Sequence, residues 1–311
     1  MPTRSSQSRS SAVLLRATAL GLLISIAAPA CARPVGPAPV ATPDFAVGPQ
    51  YDTTHVYVQP PEVDAFVASF VATFGGASTK QGIAQVTPTP SSTSTQLVQT
   101  PAGTVSLFGF RTGTPWPFGS ERTGWLVTDL DKAAAAARAD GAEVIVTPFN
   151  DPIGRDVVIR WPGGVNMQLY WHVTAPNYAP FATQPENRIY VSADAVKPFL
   201  AGFTRWAHAK VVEDNAQAPG IEIGRAGETY RRIRLASKYG HHVLLVTDGH
   251  QPYPYGHETT GYAVGDLDAA LARATGSGAK VVVAPVEADH RRSAIVEFPG
   301  GYIAEIHQSA N

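Results

Sequence analysis

Apolar and polar residues alternate along the chain with two periods that follow each other in a fixed order. Thr53–Val58 alternates with the period of two typical of a half-buried strand. Glu62–Phe74 then spaces its apolar residues three and four apart, as one face of a helix does. Three more strand-like segments complete a predicted β-α-β-β-β module: Gly82–Thr87, Gln96–Gln99 and Thr104–Phe110.

The same order of elements begins again directly afterwards. Thr123–Val127 is a predicted strand, and Asp131–Asp140 is an alanine-rich predicted helix that ends at Gly141. Asp129 is the predicted N-cap of this helix, since a short carboxylate can accept from the unpaired amides of the first turn. The strands that follow complete a second module: Glu143–Thr147, Asp156–Arg160 and Val165–Trp171.

The chain then repeats this pair of modules. Gly124–Asp131 returns as Gly261–Asp268, and Pro162-Gly163-Gly164 returns as Pro299-Gly300-Gly301, with an offset of 137 residues in both cases. A constant offset over this length indicates a duplicated folding unit. Both glycine pairs predict a tight turn between the last two strands of a module.

Two modules together are expected to form one domain, because a single module would leave one face of its sheet uncovered. We predict an α+β fold of two tandem domains, residues 51–175 and 186–308. Each would be a cupped eight-stranded sheet with helices outside and a ligand cavity inside. The short links between modules favour pairing of consecutive modules in one cup. Pairing of modules one and four is the alternative, and it would bring His55 and Glu305 face to face.

The segment before the body has the features of a targeting sequence. Arginines precede or flank the apolar run Ala17–Ala28, and small residues follow it, so residues 1–32 are a predicted signal peptide. Cleavage after Ala32 is one outcome, and lipidation of Cys31 is the other. Residues 33–50, rich in Pro and Ala, form a predicted linker. The protein is therefore expected to be exported, to the periplasm or outside the cell, with a lipid on Cys31 as the alternative anchor.

Composition and charge limit the classes of molecule that we expect the protein to bind. The 311 residues carry a formal net charge of −1, and 16% are charged, so we expect no nucleic-acid partner. Contact with a membrane is expected only through a lipid on Cys31, the single cysteine. A single cysteine also excludes a disulfide framework within the chain. The predicted partner is a small-molecule ligand, and composition indicates no oligomeric state.

The repeated motifs resemble those of the vicinal oxygen chelate superfamily, which includes glyoxalase I, extradiol dioxygenases and bleomycin- or fosfomycin-resistance proteins. The resemblance rests on Gly124–Asp131 with its helix, on Arg160–Gly164 running into Met167-Gln168-Leu169, and on their second copies through Phe298–Gly301. It implies two glyoxalase-like domains. It implies no single reaction, because the superfamily carries many chemistries on one scaffold.

The resemblance also implies four metal-ligand positions per domain. They are His55, Ser106, Arg122 and Gln168 in the first copy, and Arg188, Val243, Thr259 and Glu305 in the second. A catalytic metal usually takes about three His or carboxylate ligands, and neither copy has them. The first expectation is therefore no cofactor, with an Arg188–Glu305 ion pair in the second domain.

The alternative is a divalent metal: zinc, iron, nickel or manganese. Its ligands would be His55 with Gln168, or His241 with Glu305 and His307, which strand parity could place on one face. A competing interpretation leaves His241 and His242 at an exposed strand start. The predicted substrate-binding residues are His55, Tyr57, Arg122, Asn166, Gln168 and Tyr170 in the first domain, and Arg188 and Tyr190 in the second.

Further features have two interpretations each. Pro115-Trp116-Pro117-Phe118 recurs as Pro252-Tyr253-Pro254-Tyr255, and its aromatic rings could wall a pocket or cover a sheet edge. Arg155 and Arg291-Arg292 could receive an anionic substrate or be surface charge. The pattern assigns no role to His172.

The function predicted from the resemblance is binding of a small organic molecule in a metal-poor cavity, as in the resistance proteins. The alternative is a metal-dependent lyase, isomerase or dioxygenase, so whether the chain is an enzyme stays open. In a third hypothesis one of the two copies is only a scaffold.

Overall fold

The computed structural model describes residues 50–51, 54–120, 123–174, 176–181 and 184–309. The predicted signal peptide, Cys31 and all of the predicted linker except Gln50 lie outside them. Gln50 already belongs to the folded body, since it is buried and its backbone pairs with Phe181. None of the helices in the described part of the chain is long and apolar enough to cross a membrane.

The first half of the body contains the two predicted modules. The first module consists of β1 (Thr54–Tyr57), α1 (Val63–Phe74), β2 (Ala77–Ser78), β3 (Gly82–Ala84), β4 (Thr93–Thr100) and β5 (Gly103–Phe110). The second consists of β6 (Thr123–Leu126), α2 (Leu130–Ala139), β7 (Glu143–Asn150), β8 (Gly154–Trp161) and β9 (Val165–His172). Only the two-residue strand β2 lacked a signal in the hydrophobic pattern.

The second half repeats the first. The third module consists of β10 (Glu186–Val191), α3 (Val196–Trp206), β11 (Lys210–Pro219), β12 (Thr229–Ser237) and β13 (Gly240–Val246). The fourth consists of β14 (Glu258–Ala263), α4 (Leu267–Gly276), β15 (Lys280–Ala288), β16 (Arg291–Phe298) and β17 (Tyr302–Ser309).

The second half forms one curled sheet of eight strands, in the order β11-β12-β13-β10-β14-β17-β16-β15. Antiparallel pairing of β10 with β14 joins its two modules. In the first half, β1-β5-β4 with β2 and β3 forms one sheet, and β6-β9-β8-β7 forms another. β1 and β6, the equivalents of β10 and β14, lie next to each other, so consecutive modules share a cup as predicted.

The helices cover the convex faces and join the two halves of the body. α1 and α4 share one apolar core, in which Phe66 and Phe70 contact Phe298. α2 and α3 share the other, where the Trp206 indole donates to the carbonyl of Ala133 at 3.0 Å. Modules one and four therefore pack back to back through helices. Because they do not share a cup, the alternative in which His55 faces Glu305 is wrong.

The local signals in the sequence are confirmed. The Asp129 carboxylate accepts from the amide of Lys132 at 3.0 Å, and its repeat Asp266 accepts from that of Ala269 at 2.9 Å. Gly163 and Gly164 have φ of +90° and +83°, a conformation that costs glycine little. They make the predicted turn between β8 and β9.

His242 lies where the two halves meet, and it is buried rather than exposed at a strand start. Its ring stacks on Trp125 with centroids 5.2 Å apart, and its Nε2 lies 3.0 Å from the hydroxyl of Ser237. Burial lowers the pKa of His242 to about 3, because a charged imidazole would lose its hydration there. The histidine therefore serves as a neutral aromatic core residue.

Candidate functional site

A cavity of about 290 Å³ lies in the cup of the first half. β1 contributes His55 and Tyr57, and β9 contributes Gln168 and Tyr170. Each pair is two residues apart on its strand, so both members point to the same face. The structure thus brings four predicted binding residues from two modules to one cavity.

Apolar and aromatic side chains form the walls of this cavity. The Phe108 ring packs edge-on against His55 at 5.5 Å and stacks on Tyr57 at 5.3 Å. Phe118, from the proline-flanked aromatic motif, also lines the cavity and belongs to the apolar cluster that Phe108 and Tyr57 pack against. Of the two interpretations of that motif, the structure supports the pocket wall for Phe118, whereas Trp116 is exposed.

Several polar residues of the cavity were not predicted, among them Asp156, His172 and Lys80. Asp156 on β8 is buried beside Tyr170, its partner in the antiparallel register with β9. His172 continues the inward parity of Gln168 and Tyr170, and its ring lies 5.1 Å from that of Tyr170. Lys80 lines the rim. Strand parity would have identified His172, but Lys80 precedes β3 in an irregular segment that has no such signal.

Two predicted residues of the first site behave differently. Asn166 is buried, but it does not line this cavity, and its side-chain amide donates to the hydroxyl of Ser120 at 2.8 Å. It therefore has a structural role in holding the link before β6. Arg122 lies outside the described residues.

The second cup is packed with charged side chains at the equivalent depth. Arg291 donates to both oxygens of Glu186, at 2.7 and 2.9 Å, and to Glu305 at 2.5 Å. Arg188 lies 3.7 Å from Glu305, which is the predicted ion pair, and 3.2 Å from Glu186. Nδ1 of His307 lies 2.8 Å from both Arg291 and Glu305. The cation nearest to Glu305 is thus Arg291, and neither predicted role of Arg291, binding an anionic substrate or surface charge, included this buried ion pair.

The electrostatics of this cluster favour its charged form. Burial alone would raise the pKa of Glu305, but Arg291 and Arg188 outweigh it and hold that pKa below its usual value. Glu186 has its pKa lowered by the same two cations against the same effect of burial. Both carboxylates are therefore ionised and matched by guanidinium groups.

A second layer of ion pairs extends this cluster outward. The buried Arg232 donates to Glu222 at 2.5 Å and to Glu213 at 2.9 Å, and it also pairs with Asp289. Tyr190, a predicted binding residue, is buried, with its hydroxyl 3.0 Å from that of Tyr253. Tyr190 also lines a separate surface groove, together with Tyr255 and His257. Arg188 and Tyr190 are therefore occupied by protein partners.

The donor sets do not fit a three-ligand metal site. Within the described ranges, no three His, Cys, Asp or Glu side chains are close enough together to hold a metal ion. The predicted cluster of His241, Glu305 and His307 does not form, because His241 is exposed at the start of β13 while the other two are buried. Glu305 also faces two arginines, which would repel a divalent cation.

Arg155 and Arg292 are equivalent positions, and both make surface ion pairs. Arg155 pairs with Asp131 at 3.0 Å, and Arg292 pairs with Asp268 at 2.9 Å. Each pair ties the first turn of a helix to a neighbouring strand. Surface charge is therefore the correct interpretation for these two arginines.

No family model matches the chain, and no curated protein does. Solved structures do match. A mutant of 4-hydroxymandelate synthase from Streptomyces coelicolor is 12% identical with a TM-score of 0.57, over 85% of this chain and 94% of that one. The 2,2',3-trihydroxybiphenyl 1,2-dioxygenase of Sphingomonas wittichii strain RW1 is 12% identical with a TM-score of 0.52, over 84% and 91%.

The Mn(II)-bound glyoxalase of Novosphingobium aromaticivorans is 13% identical with a TM-score of 0.50, over 86% of this chain and 83% of that one. All three are vicinal oxygen chelate proteins. At this identity they show the fold alone, and the predicted resemblance is confirmed at that level. A divalent metal is compatible with this fold, so the expectation that a cofactor is absent gains no support from these neighbours.

Proposed function

We propose that the protein binds a small organic molecule in the cup of the first domain, and that the second domain is a scaffold. The observation that carries this proposal is the contrast between the two cups. One encloses a cavity lined by His55, Tyr57, Gln168 and Tyr170, and the other has charged side chains paired with each other at the same depth.

The composition of the cavity supports recognition of an organic ligand. Ligand sites are concave and mostly apolar, with a few convergent polar groups, and they begin at about 300 Å³. Here the aromatic rings of Phe108 and Phe118 supply apolar wall, while Asp156, Gln168 and His55 supply hydrogen-bonding groups. Such a cavity suits a compact, ring-sized group that carries at least one hydrogen-bond donor.

A metal-dependent lyase, isomerase or dioxygenase is the second candidate function. It is favoured by one observation, that His55 and Gln168, at two ligand positions implied by the superfamily, line the same cavity. In the described part of this cup, however, no three His, Cys, Asp or Glu side chains are close enough together to hold a metal ion. About one metal ion per purified chain by elemental analysis, lost in His55→Ala, would favour this candidate over simple binding.

Export to the periplasm or beyond is part of the proposal, and it rests on the sequence of residues 1–32 alone. Mass spectrometry of the mature protein would distinguish cleavage after Ala32 from a lipid on Cys31.

The test of ligand binding uses a thermal-shift screen followed by calorimetry. Leu97 lines the first cup at the position that Arg234 occupies in the second, since they pair with the equivalent residues Ser106 and Val243. A ligand of the first cup should raise the melting temperature, and Leu97→Arg should weaken its binding at least about tenfold by filling the cavity.

Val212→Ser is the control, because Val212 is an exposed residue of β11 in the second domain. Its ligand affinities should equal those of the unchanged protein. Ligands that bind Leu97→Arg as well as they bind the unchanged protein would show that the first cup is not the site.

A further inference from the structure

The cavity of the first cup opens into an apolar groove. Leu97, Ile153 and His172 line both spaces. Beyond them the groove continues along Val173 and Tyr178, and no Asp, Glu, Lys or Arg is among the residues that line it. A molecule held in the cup can therefore extend from the polar groups of the cavity into a mostly apolar groove.

Two large apolar side chains at this mouth face solvent. Ile153 is 54% exposed, and Val173 is 68% exposed. They belong to neighbouring segments, since the amide of Val173 donates to the carbonyl of Ile153 at 3.2 Å. Adjacent exposed apolar residues at the rim of a cavity mark a surface that a ligand can cover.

A row of aromatic rings connects the inside of the cup with this groove. The ring of His172 lies 5.1 Å from that of Tyr170 and 5.6 Å from that of Tyr51. Tyr51 in turn packs edge-on against Tyr178 at 5.7 Å. The hydroxyl of Tyr170 accepts from the Tyr51 amide at 3.1 Å, which ties the row together. The wall shared by cavity and groove is therefore built from packed rings.

The buried end of this path is more polar than the groove end, and the charged side chains of Lys80 and Asp151 also line the cavity. The buried end carries Asp156, Gln168 and His55, whereas the outer end carries Ile153 and Val173. We propose that the ligand is amphipathic, with a hydrogen-bonding ring in the cup and an apolar chain that lies in the groove over Ile153 and Val173. This inference rests on the proposed function and specifies its ligand class.

Calorimetric titration with a series of 4-alkylphenols tests the inference. Phenol supplies a ring and one donor, and the ethyl, butyl and hexyl members add a chain of increasing length. Burial of a methylene group contributes about 0.8 kcal/mol. Each methylene that contacts the groove should therefore raise the affinity about two- to fourfold, the lower value for one-sided burial.

Val173→Ser should remove part of this gain and leave the affinity for phenol itself unchanged, because Val173 lines the groove but not the cavity of the cup. Val212→Ser is the matched control, because Val212 is 61% exposed on the other domain. It should keep the full dependence on chain length.

The outcomes separate the inference from the proposed function. Phenol binding that is sensitive to Leu97→Arg, with no gain from longer chains, would overturn the amphipathic ligand and leave the cup as a binding site. A gain that survives undiminished in Val173→Ser, or that Val212→Ser also reduces, would overturn the assignment to the groove. No binding by any alkylphenol would overturn the inference, and the ligand screen with Leu97→Arg would decide the proposed function separately.

Discussion

The two cups have the same scaffold and opposite interiors. Gln168 and Tyr170 on β9 correspond to Glu305 and His307 on β17, at the offset of 137 residues. The first pair lines a cavity, and the second pair is held by Arg291. The two copies of a duplicated fold can therefore have the same strands and turns but different interiors. Here one cup contains a compact cluster of ion pairs, and the other contains a cavity at the same position.

The position of Arg291 shows why the copies could diverge. Its equivalent in the first domain is Gly154, where a Cβ atom would lie 2.0 Å from the carbonyl oxygen of Trp171. The close approach of β8 and β9 there leaves no room for any side chain. The first cup cannot receive an arginine from this position without a backbone shift, and its interior stays available.

Breaking the charge cluster should have the largest effect on stability. Glu305→Gln removes the charge that Arg291 and Arg188 share, leaving buried cations without a full partner. We expect the free energy of unfolding to fall by about 3–5 kcal/mol, as for other broken buried ion pairs. Urea denaturation measures it.

The same substitution at the surface is the control. Glu297 pairs with the exposed Lys280 at 3.5 Å, so Glu297→Gln should cost less than about 1 kcal/mol. In the first cup, Gln168→Ala should also cost only about 1 kcal/mol, because Gln168 borders a cavity. Equal losses for Glu305→Gln and Glu297→Gln would contradict a stabilising role of the cluster.

His242 distinguishes the two domains by the pH dependence of stability. The equivalent residue in the first domain is the buried Val105. The folded pKa of His242, about 3, is below the ordinary 6.5, so the unfolded chain takes up a proton that the folded protein excludes. Its contribution to stability is complete above pH 6.5, and it is lost as the pH falls, by about 1.4 kcal/mol per unit.

His242→Val should abolish that slope between pH 6.5 and 5, above the range where most carboxylates titrate. The measurement is the free energy of unfolding at several pH values. The variant loses packing against Trp125 at every pH, so the slope and not the absolute stability is compared. An unchanged slope would show that His242 takes up its proton in the folded protein.

The smallest difference between the two copies is expected at the helix caps, where the domains agree. Asp129→Ala and Asp266→Ala each remove an N-cap with the same geometry, and each should cost about 1 kcal/mol. Guanidinium denaturation of both variants checks the equality. Costs that differ by more than about 1 kcal/mol would show that the two domains depend differently on the same local motif.

Local patterns predicted most of the fold and part of the site. Periodicity placed His55, Tyr57, Gln168 and Tyr170 on inward faces, because side-chain direction on a strand follows from residue number alone. The same rule wrongly predicted that Asn166 lines the cavity. Its position on the strand matches that of Gln168, but its side chain binds Ser120 in the link before β6. The rule also failed for His241, whose parity was correct but whose strand begins at the solvent-exposed end of the sheet.

The sequence by itself determined the four modules, their helix caps and their glycine turns, since these depend on contacts within a few residues. Only the tertiary structure decided which cup is open. Glu186 of the third module meets Arg291 and Glu305 of the fourth, and Arg291 is 105 residues further along the chain. Phe118 reaches the first cavity from a linker. Contacts of this kind depend on how the curved sheets close. The pattern of residues along the chain contains no information about the distance between side chains on different strands.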